Sequence, residues 1–526
     1  MEKKILEIED FSLSFKNENS KENSVLKKIN ITINEGESVG VVGPSGCGKS
    51  ILSLACLNLL PRNAIFSGNI YFYNDIRKSV FNLNKKENQG YRGLFTSIIF
   101  QNPFSSLNPV YTCGYSLKES LIRTKKYSKK ELKNICFNLL EEVGIKDVEK
   151  IYHSYPHQLS GGQLQRVLIA SCLALSPKLI IADEPTTALD ASIKKKILSL
   201  LFSIIKKRNI SLIIISHDIN IIKNYTYNTY ILKNGVCIEK GKTKNILTSP
   251  KNNFTKNLIL SKPIIGDKRK YLPSENTYEI INDKKIKRKE ILLLENISFI
   301  IDNNKILNNI NFNVLNGDCI GIVGESGSGK STIAKIISGL INNYSGSFYF
   351  NGKKIIKKNN KIQLVFQESI SSLTPNYKVG NLLYEVCLFF KYDKNKIKET
   401  ILNFFKITNL EEDVYDKYPH QLSGGQKQRI SIIRVLLTKP EIIIFDESLS
   451  ALDIITQASI LNLIKYLKLK YNLSIIFISH DLGSVSFLCN KIIVLKKGQI
   501  VDNIYTEDIL NINNNNYTKR LINDTI

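Results

Sequence analysis

Lys49 ends the run GPSGCGK and is followed by Ser50; Lys330 ends GESGSGK and is followed by Ser331. Both stretches, Gly43–Ser50 and Gly324–Ser331, fit G-x-x-x-x-G-K-[ST]. That pattern builds a loop whose backbone N–H groups cradle phosphates. Gly43, Gly46 and Gly48 in the first loop, and Gly324, Gly327 and Gly329 in the second, let successive amides turn inward. A helix that starts at the lysine adds its positive N-terminal end. Lys49 and Lys330 then reach terminal phosphates, Ser50 and Ser331 hold Mg2+, and Ser45, Ser326 and Thr332 complete the polar lining. Two such loops predict two bound nucleotides.

This chemistry needs a strand, a loop and a helix in succession. Each loop follows a short apolar stretch, Ser38–Val42 or Cys319–Val323, and precedes an apolar helical pattern. The residues beyond each loop repeat as well. Gln101 stands in IIFQNPFSSLNP, LSGGQ runs from Leu159 to Gln163, and the strand LIIADE ends in Asp183 and Glu184. ALD follows at Ala188–Asp190, and His217 sits in ISHD. In the second half the order recurs as Gln367, LSGGQ at Leu422–Gln426, Asp446 and Glu447, ALD at Ala451–Asp453, and His480. The intervals Ser160–Glu184–His217 equal the intervals Ser423–Glu447–His480. Carboxylates at the end of an apolar strand stand where α/β sheets place ligand chemistry. Of the five histidines, His157 and His420 form a second matched pair, in YPHQLSGG, and only His153 has no counterpart.

This set resembles two ATP-binding cassettes of the ABC superfamily fused in one chain, over nearly its whole length. The resemblance implies an α/β fold with two tandem P-loop nucleotide-binding domains. Each would carry an α/β core, an antiparallel β-subdomain, and a helical subdomain between the glutamine and LSGGQ. The expected boundaries are 1–262 for the first cassette, 263–290 for a basic, Pro-containing linker, and 291–526 for the second. The stretch from Lys49 to Gln101 is longer than that from Lys330 to Gln367, so the second cassette lacks some structure there.

The resemblance also implies the roles. ATP and Mg2+ are the ligands. Glu184 and Glu447 orient and deprotonate water, and His217 and His480 contact the γ-phosphate. Asp183 and Asp446 support Mg2+, partly through water, and Gln101 and Gln367 contact metal or water and couple ATP state to the helical subdomain. The signature of one cassette closes the other's site head to tail. Ser423, Gly424, Gly425 and Gln426 thus serve the Lys49 loop, and Ser160, Gly161, Gly162 and Gln163 serve the Lys330 loop. Asp190 and Asp453 lie at the cassette boundary. Phe15 stacks on adenine in the first half; Ile301 stands opposite it in the second, with Phe299 two residues away. Cys47, where the second loop has Ser328, is read either as a small residue tolerated in a tight loop or as a reactive thiolate, since Lys49 and a helix N-terminus nearby both favour the charged form.

With 526 residues, two to four domains are expected. At 43% apolar and 23% charged residues the composition is that of a globular chain. No apolar run approaches the roughly 20 residues of a membrane span, and the N-terminus lacks a secretory core. Nine scattered cysteines without a C-x-x-C pair suit a reducing compartment. The net charge of +26 accompanies a chain crowded with Lys, Asn and Ile. It is read first as compositional drift and second as attraction to an anionic membrane face, with no specific nucleic acid implied.

FQNPFSSLNP, YPHQLSGGQ and ADEPTTALD resemble the peptide-importer branch, which includes nickel importers. That branch implies two integral membrane permeases, a substrate-binding protein, and a peripheral seat on the cytoplasmic face of the inner (plasma) membrane, with one chain supplying both cassettes. Its tail motif resembles H-P-Y-T-x-x-L-L. The counterparts here are NNFTKNLI, 252–259, and NNYTKRLI, 515–522, both without His-Pro. The alternatives are import of nickel or another small solute, and a soluble tandem-ABC ATPase acting on ribosomes. The latter class carries a long, charged helical linker, unlike the short segment here.

Overall fold

The computed structural model describes residues 3–16, 22–122, 127–186, 191–274, 276, 278–279, 289–355, 359–366, 373–450, 452–511 and 514–525. The chain divides into two compact units, the first ending at Ile259 and the second beginning at Leu260. Each unit contains one antiparallel and one mostly parallel sheet.

In the first unit the parallel sheet runs, in spatial order, Thr96–Ile99, Leu179–Asp183, Ser211–Ile215, Ser38–Val42 and Asn228–Lys233, with Val236–Lys242 antiparallel at the edge. The second unit repeats this order with Ile362–Val365, Ile442–Asp446, Ser474–Ile478, Cys319–Val323, Lys491–Lys496 and Gln499–Tyr505. These strands read as unbroken apolar runs because both faces are covered. In Ile442–Asp446 every residue is buried. Ile442 and Ile444 join the core against the antiparallel sheet, while Ile443 and Phe445 face the helices Ile454–Tyr471 and Leu482–Leu488. The antiparallel sheets are four-stranded in both units, built on Lys4–Lys16 and on Glu290–Ile301. Helices Cys113–Ile122, Lys129–Glu142 and Val148–His153 in the first unit, and Val379–Phe389 and Ile397–Ile407 in the second, form the expected helical portions.

Among the described residues both antiparallel sheets keep four strands, and the longer interval in the first half holds a helical insert. Lys85–Gly90 and Tyr91–Phe95 lie between the strands Arg77–Ser79 and Thr96–Ile99. The insert contacts the helix Lys49–Cys56, which follows the first glycine-rich loop. Tyr91 Oη donates to Cys56 O at 2.6 Å and Arg92 Nε to Leu57 O at 2.8 Å, satisfying carbonyls that a helix end leaves without partners.

The residues just after Leu260 pack on the second unit. Gly266 N–H donates to Ser486 Oγ at 2.8 Å. Asn462 accepts from Leu272 N–H at 3.0 Å and returns a bond to Leu272 O at 2.8 Å. The Leu272 side chain is buried in that unit's core. Among the described residues no helix is long and apolar enough to cross a membrane.

Candidate nucleotide sites

Both glycine-rich loops turn directly into helices, Lys49–Cys56 and Lys330–Ile337. Gly48 and Gly329 precede them with φ of 101° and 104°. Each lysine is buried and curls over its own loop. Lys49 Nζ donates to Gly43 O at 2.9 Å and Pro44 O at 2.8 Å. Lys330 Nζ donates to Gly324 O at 2.9 Å and Glu325 O at 3.0 Å. Ser45, Gly46, Ser326 and Gly327 lie exposed at the loop crests, and Ser50, Ser331 and Thr332 open the helices.

The remaining polar groups come from the ends of neighbouring strands. Gln101 lies just beyond Thr96–Ile99, Glu184 follows Leu179–Asp183, and His217 follows Ser211–Ile215. Since these strands are adjacent and parallel, their side chains converge at one sheet edge. Gln101 Nε2 donates to Glu184 Oε2 at 2.8 Å, and His217 Nδ1 lies 3.0 Å from Glu184 Oε1. Asp183 is hydrogen-bonded to Ser50. In the second unit Ser331 Oγ donates to Asp446 Oδ1 at 3.0 Å. Lys330 Nζ stands 3.6 Å from Glu447 Oε1, and His480 Nδ1 stands 3.9 Å from Glu447 Oε2. Gln367, Ala188, Asp190 and Ala451 lie outside the described residues. Asp453 caps the helix Ile454–Tyr471 by accepting from Thr456 N–H at 3.1 Å.

Two local features tune these groups. Glu184 and Glu447 adopt left-handed backbone, with φ of 46° and 43°, a conformation that costs a non-glycine residue roughly 1–3 kcal/mol and clusters at functional sites. It swings each carboxylate off the line of its strand. Burial raises the carboxyl pKa of Asp183 and Asp446, and the hydroxyl bonds from Ser50 and Ser331 oppose that shift.

The signature residues open the helices Gly161–Leu173 and Gly424–Leu436. Ser160 accepts from Gln163 N–H, and Gln163 Oε1 accepts from Ser160 N–H at 3.0 Å. Ser423 and Gln426 repeat this reciprocal cap, which leaves a positive helix end beneath the serine. Sequence reasoning missed a second duty of the glycines. A Cβ on Gly162 would stand 2.9 Å from Ile193 Cγ2, and one on Gly425 2.6 Å from Thr456 Cγ2. Both positions are small because the next helix packs against them.

Phe15 is half-buried near the end of Lys4–Lys16, beside Ala64. Phe299 is buried in the core opposite Leu307, whereas Ile301 is 47% exposed at its strand end. Phe299 is thus committed to packing, and the surface position matching Phe15 belongs to Ile301.

Cys47 corrects the expectation of a reactive thiolate. Its side chain is 3% exposed, and burial raises its pKa despite Lys49 Nζ at 3.9 Å. Burial raises the Cys237 thiol as well, but Cys237 is half-buried where Cys47 is nearly inaccessible, so brief maleimide treatment at pH 7 is expected to label Cys237 before Cys47 and to leave ATPase activity intact. Peptide mass spectrometry checks this; Cys47 labelled first would contradict it.

The ABC transporter family profile matches residues 26–187 and 307–450, covering one phosphate loop, signature and acidic pair in each unit. The chain belongs to the ABC transporter family. It is an ABC ATPase that binds and hydrolyses ATP. YejF of Escherichia coli, named an uncharacterized ABC transporter ATP-binding protein, is 34% identical over 99% of either chain. The peptidoglycan transport ATP-binding protein YejF of Agrobacterium fabrum is 33% identical, over 98% of this chain and 96% of its own. The glutathione import ATP-binding protein GsiA of Pectobacterium atrosepticum is 30% identical, over 99% of this chain and 89% of its own. These ABC proteins therefore parallel the present chain through both cassettes, including the region that joins them.

Proposed function

We propose that the chain is the ATP-hydrolysing subunit of a peptide importer. It sits peripherally on the cytoplasmic face of the inner membrane, against two permease subunits, with a substrate-binding protein delivering the solute. The observation that carries this reading is the duplication. Both units hold an intact lysine loop, carboxylate pair and histidine, and relatives named for peptidoglycan transport and glutathione import match the chain nearly end to end. The cassettes are assigned as residues 1–262 and 291–526.

In this reading ATP is held by Lys49 or Lys330 and the loop amides, and a helix N-terminus bearing Ser423 or Ser160 from the other cassette completes the γ-phosphate pocket. Closure is head to tail and hydrolysis reopens it. Glu184 and Glu447 accept a proton from the attacking water. His217 and His480 orient that carboxylate and meet charge developing on the phosphate. Mg2+ fits the residues present: Asp183 Oδ1 is buried without a hydrogen-bond partner beside the Ser50 hydroxyl, an oxygen set suited to a hard cation. Ser50 and Asp183, and Ser331 and Asp446, would hold it, where it supplies charge neutralisation for the phosphates.

Affinity purification from membranes tests the assignment. Permease subunits are expected to co-purify, and co-sedimentation with ribosomes in their place would overturn it. Because both cassettes share one chain, their pairing is intramolecular. Specific ATPase activity is accordingly expected to stay constant on serial dilution. A rate per molecule that climbs with protein concentration would mean pairing between chains.

A further inference from the structure

The two tail helices, Asn253–Leu260 and Asn516–Thr525, are seated alike. Asn252 and Asn515 accept from the N–H groups of Phe254 and Tyr517 at 2.8 and 2.9 Å. Lys233 and Lys496 place their ammonium groups over the Phe254 and Tyr517 rings, at 4.5 and 4.9 Å. The aromatics themselves differ: Phe254 is half-buried and ends in a ring edge, whereas Tyr517 is buried and ends in a hydroxyl. Glu325 N–H, in the second phosphate loop, donates to Tyr517 Oη at 3.0 Å. The carbonyl of the same residue accepts from Lys330 Nζ at 3.0 Å. One loop residue is thus held from two sides, by the tail helix and by the phosphate-binding lysine.

The first unit lacks both halves of this bond. Its loop has Pro44 at the corresponding place, with no N–H to satisfy, and its tail has Phe254, with no hydroxyl. Donor and acceptor are present together in one unit and absent together in the other. Tyr517 is 6% exposed and Glu325 is half-buried, so removing the hydroxyl leaves the Glu325 N–H without this partner at a part-buried position.

We propose that Tyr517 is a positioning residue for ATP binding in the second unit, anchoring the loop peptide against which Lys330 is held. It acts through Glu325, and the first unit reaches the same loop shape with proline. The full-length chain is photolabelled with 8-azido-ATP and the labelled peptides are mapped, which reads each unit separately. Tyr517→Phe is expected to raise the half-saturating concentration of the second unit about fivefold, the worth of roughly one buried hydrogen bond, with the first unit unchanged. Adding Glu325→Pro recreates the Pro44–Phe254 pair and is expected to restore affinity to within about twofold, the signature of coupled sites. The Arg520–Glu325 ion pair lost with it spans 3.6 Å at an exposed position and contributes little. The reciprocal cycle, Pro44→Glu then Phe254→Tyr, is expected to weaken and then recover the first unit. A purely structural Tyr517 would lower the Tm of Tyr517→Phe yet leave its labelling unchanged, or show no recovery with Glu325→Pro; either result overturns the proposal. The proposal rests on the second nucleotide site, so failure of the wild-type second unit to label would overturn that site itself.

Discussion

Glu184→Gln combined with Glu447→Gln is expected to bring ATP turnover below about one per cent of the wild-type rate, in keeping with the 10²–10⁴-fold worth of a positioned base. Nucleotide binding is expected to persist. The substitution keeps the shape of each side chain and removes its charge and basicity. In the first unit Glu184 is gripped at both oxygens, by Gln101 at 2.8 Å and His217 at 3.0 Å. An amide can still accept from Gln101, so the pocket keeps its form. In the second unit Glu447 loses its attraction to Lys330 at 3.6 Å, which frees that lysine for phosphate. Steady-state ATPase measured beside bound-nucleotide stoichiometry checks this. A double variant that turns over above about a tenth of the wild-type rate would remove these carboxylates from the role of base.

Gly48→Ala and Gly329→Ala are each expected to weaken ATP binding in their own unit by about thirtyfold, which corresponds to roughly 2 kcal/mol of backbone strain. The φ values of 101° and 104° lie where an L side chain is rarely tolerated. Space is short as well: an added Cβ would meet Leu26 Cδ2 or Leu307 Cδ2 at 2.5 Å. Relief requires the loop to rotate, which turns its amides away from the phosphates. Because each loop is local, the partner unit is expected to keep its own affinity in site-resolved photolabelling. Binding within about threefold of wild type in either altered unit would show that the loop accommodates the methyl group at little cost in strain.

Much of this is legible in the sequence alone, for a physical reason. A phosphate cradle is made from consecutive backbone amides, so its requirements fall on consecutive residues, and Gly43–Ser50 and Gly324–Ser331 announce it. The acidic pairs were legible because an apolar run such as LIIADE has one use, a strand buried on both faces that ends in solvent-facing chemistry. The signature serines were legible because a helix cap is also local, with Ser160 and Gln163 only three residues apart.

What only the tertiary structure decided are the distances between segments far apart in sequence. That Gln101, Glu184 and His217 form one hydrogen-bonded group depends on the order of strands in the sheet, which no single strand encodes. The burial that overrides Lys49 at Cys47 is a property of the packed core, whereas charge proximity was visible from two neighbouring letters. Phe299 and Ile301 stand two residues apart on one strand, yet one is in the core and the other at the surface, because the register shifts after Phe299 and Ile301 is the last residue of the strand. The residues after Leu260 read as linker because Pro and Lys punctuate them. Their seat on Asn462 and Ser486 comes from backbone groups, which composition does not show. The pairing of Tyr517 with Glu325 likewise spans most of a unit. Its trace in the sequence is the matched exchange of Pro44 and Phe254 for Glu325 and Tyr517, which acquires meaning only once the fold brings tail and loop within one hydrogen bond.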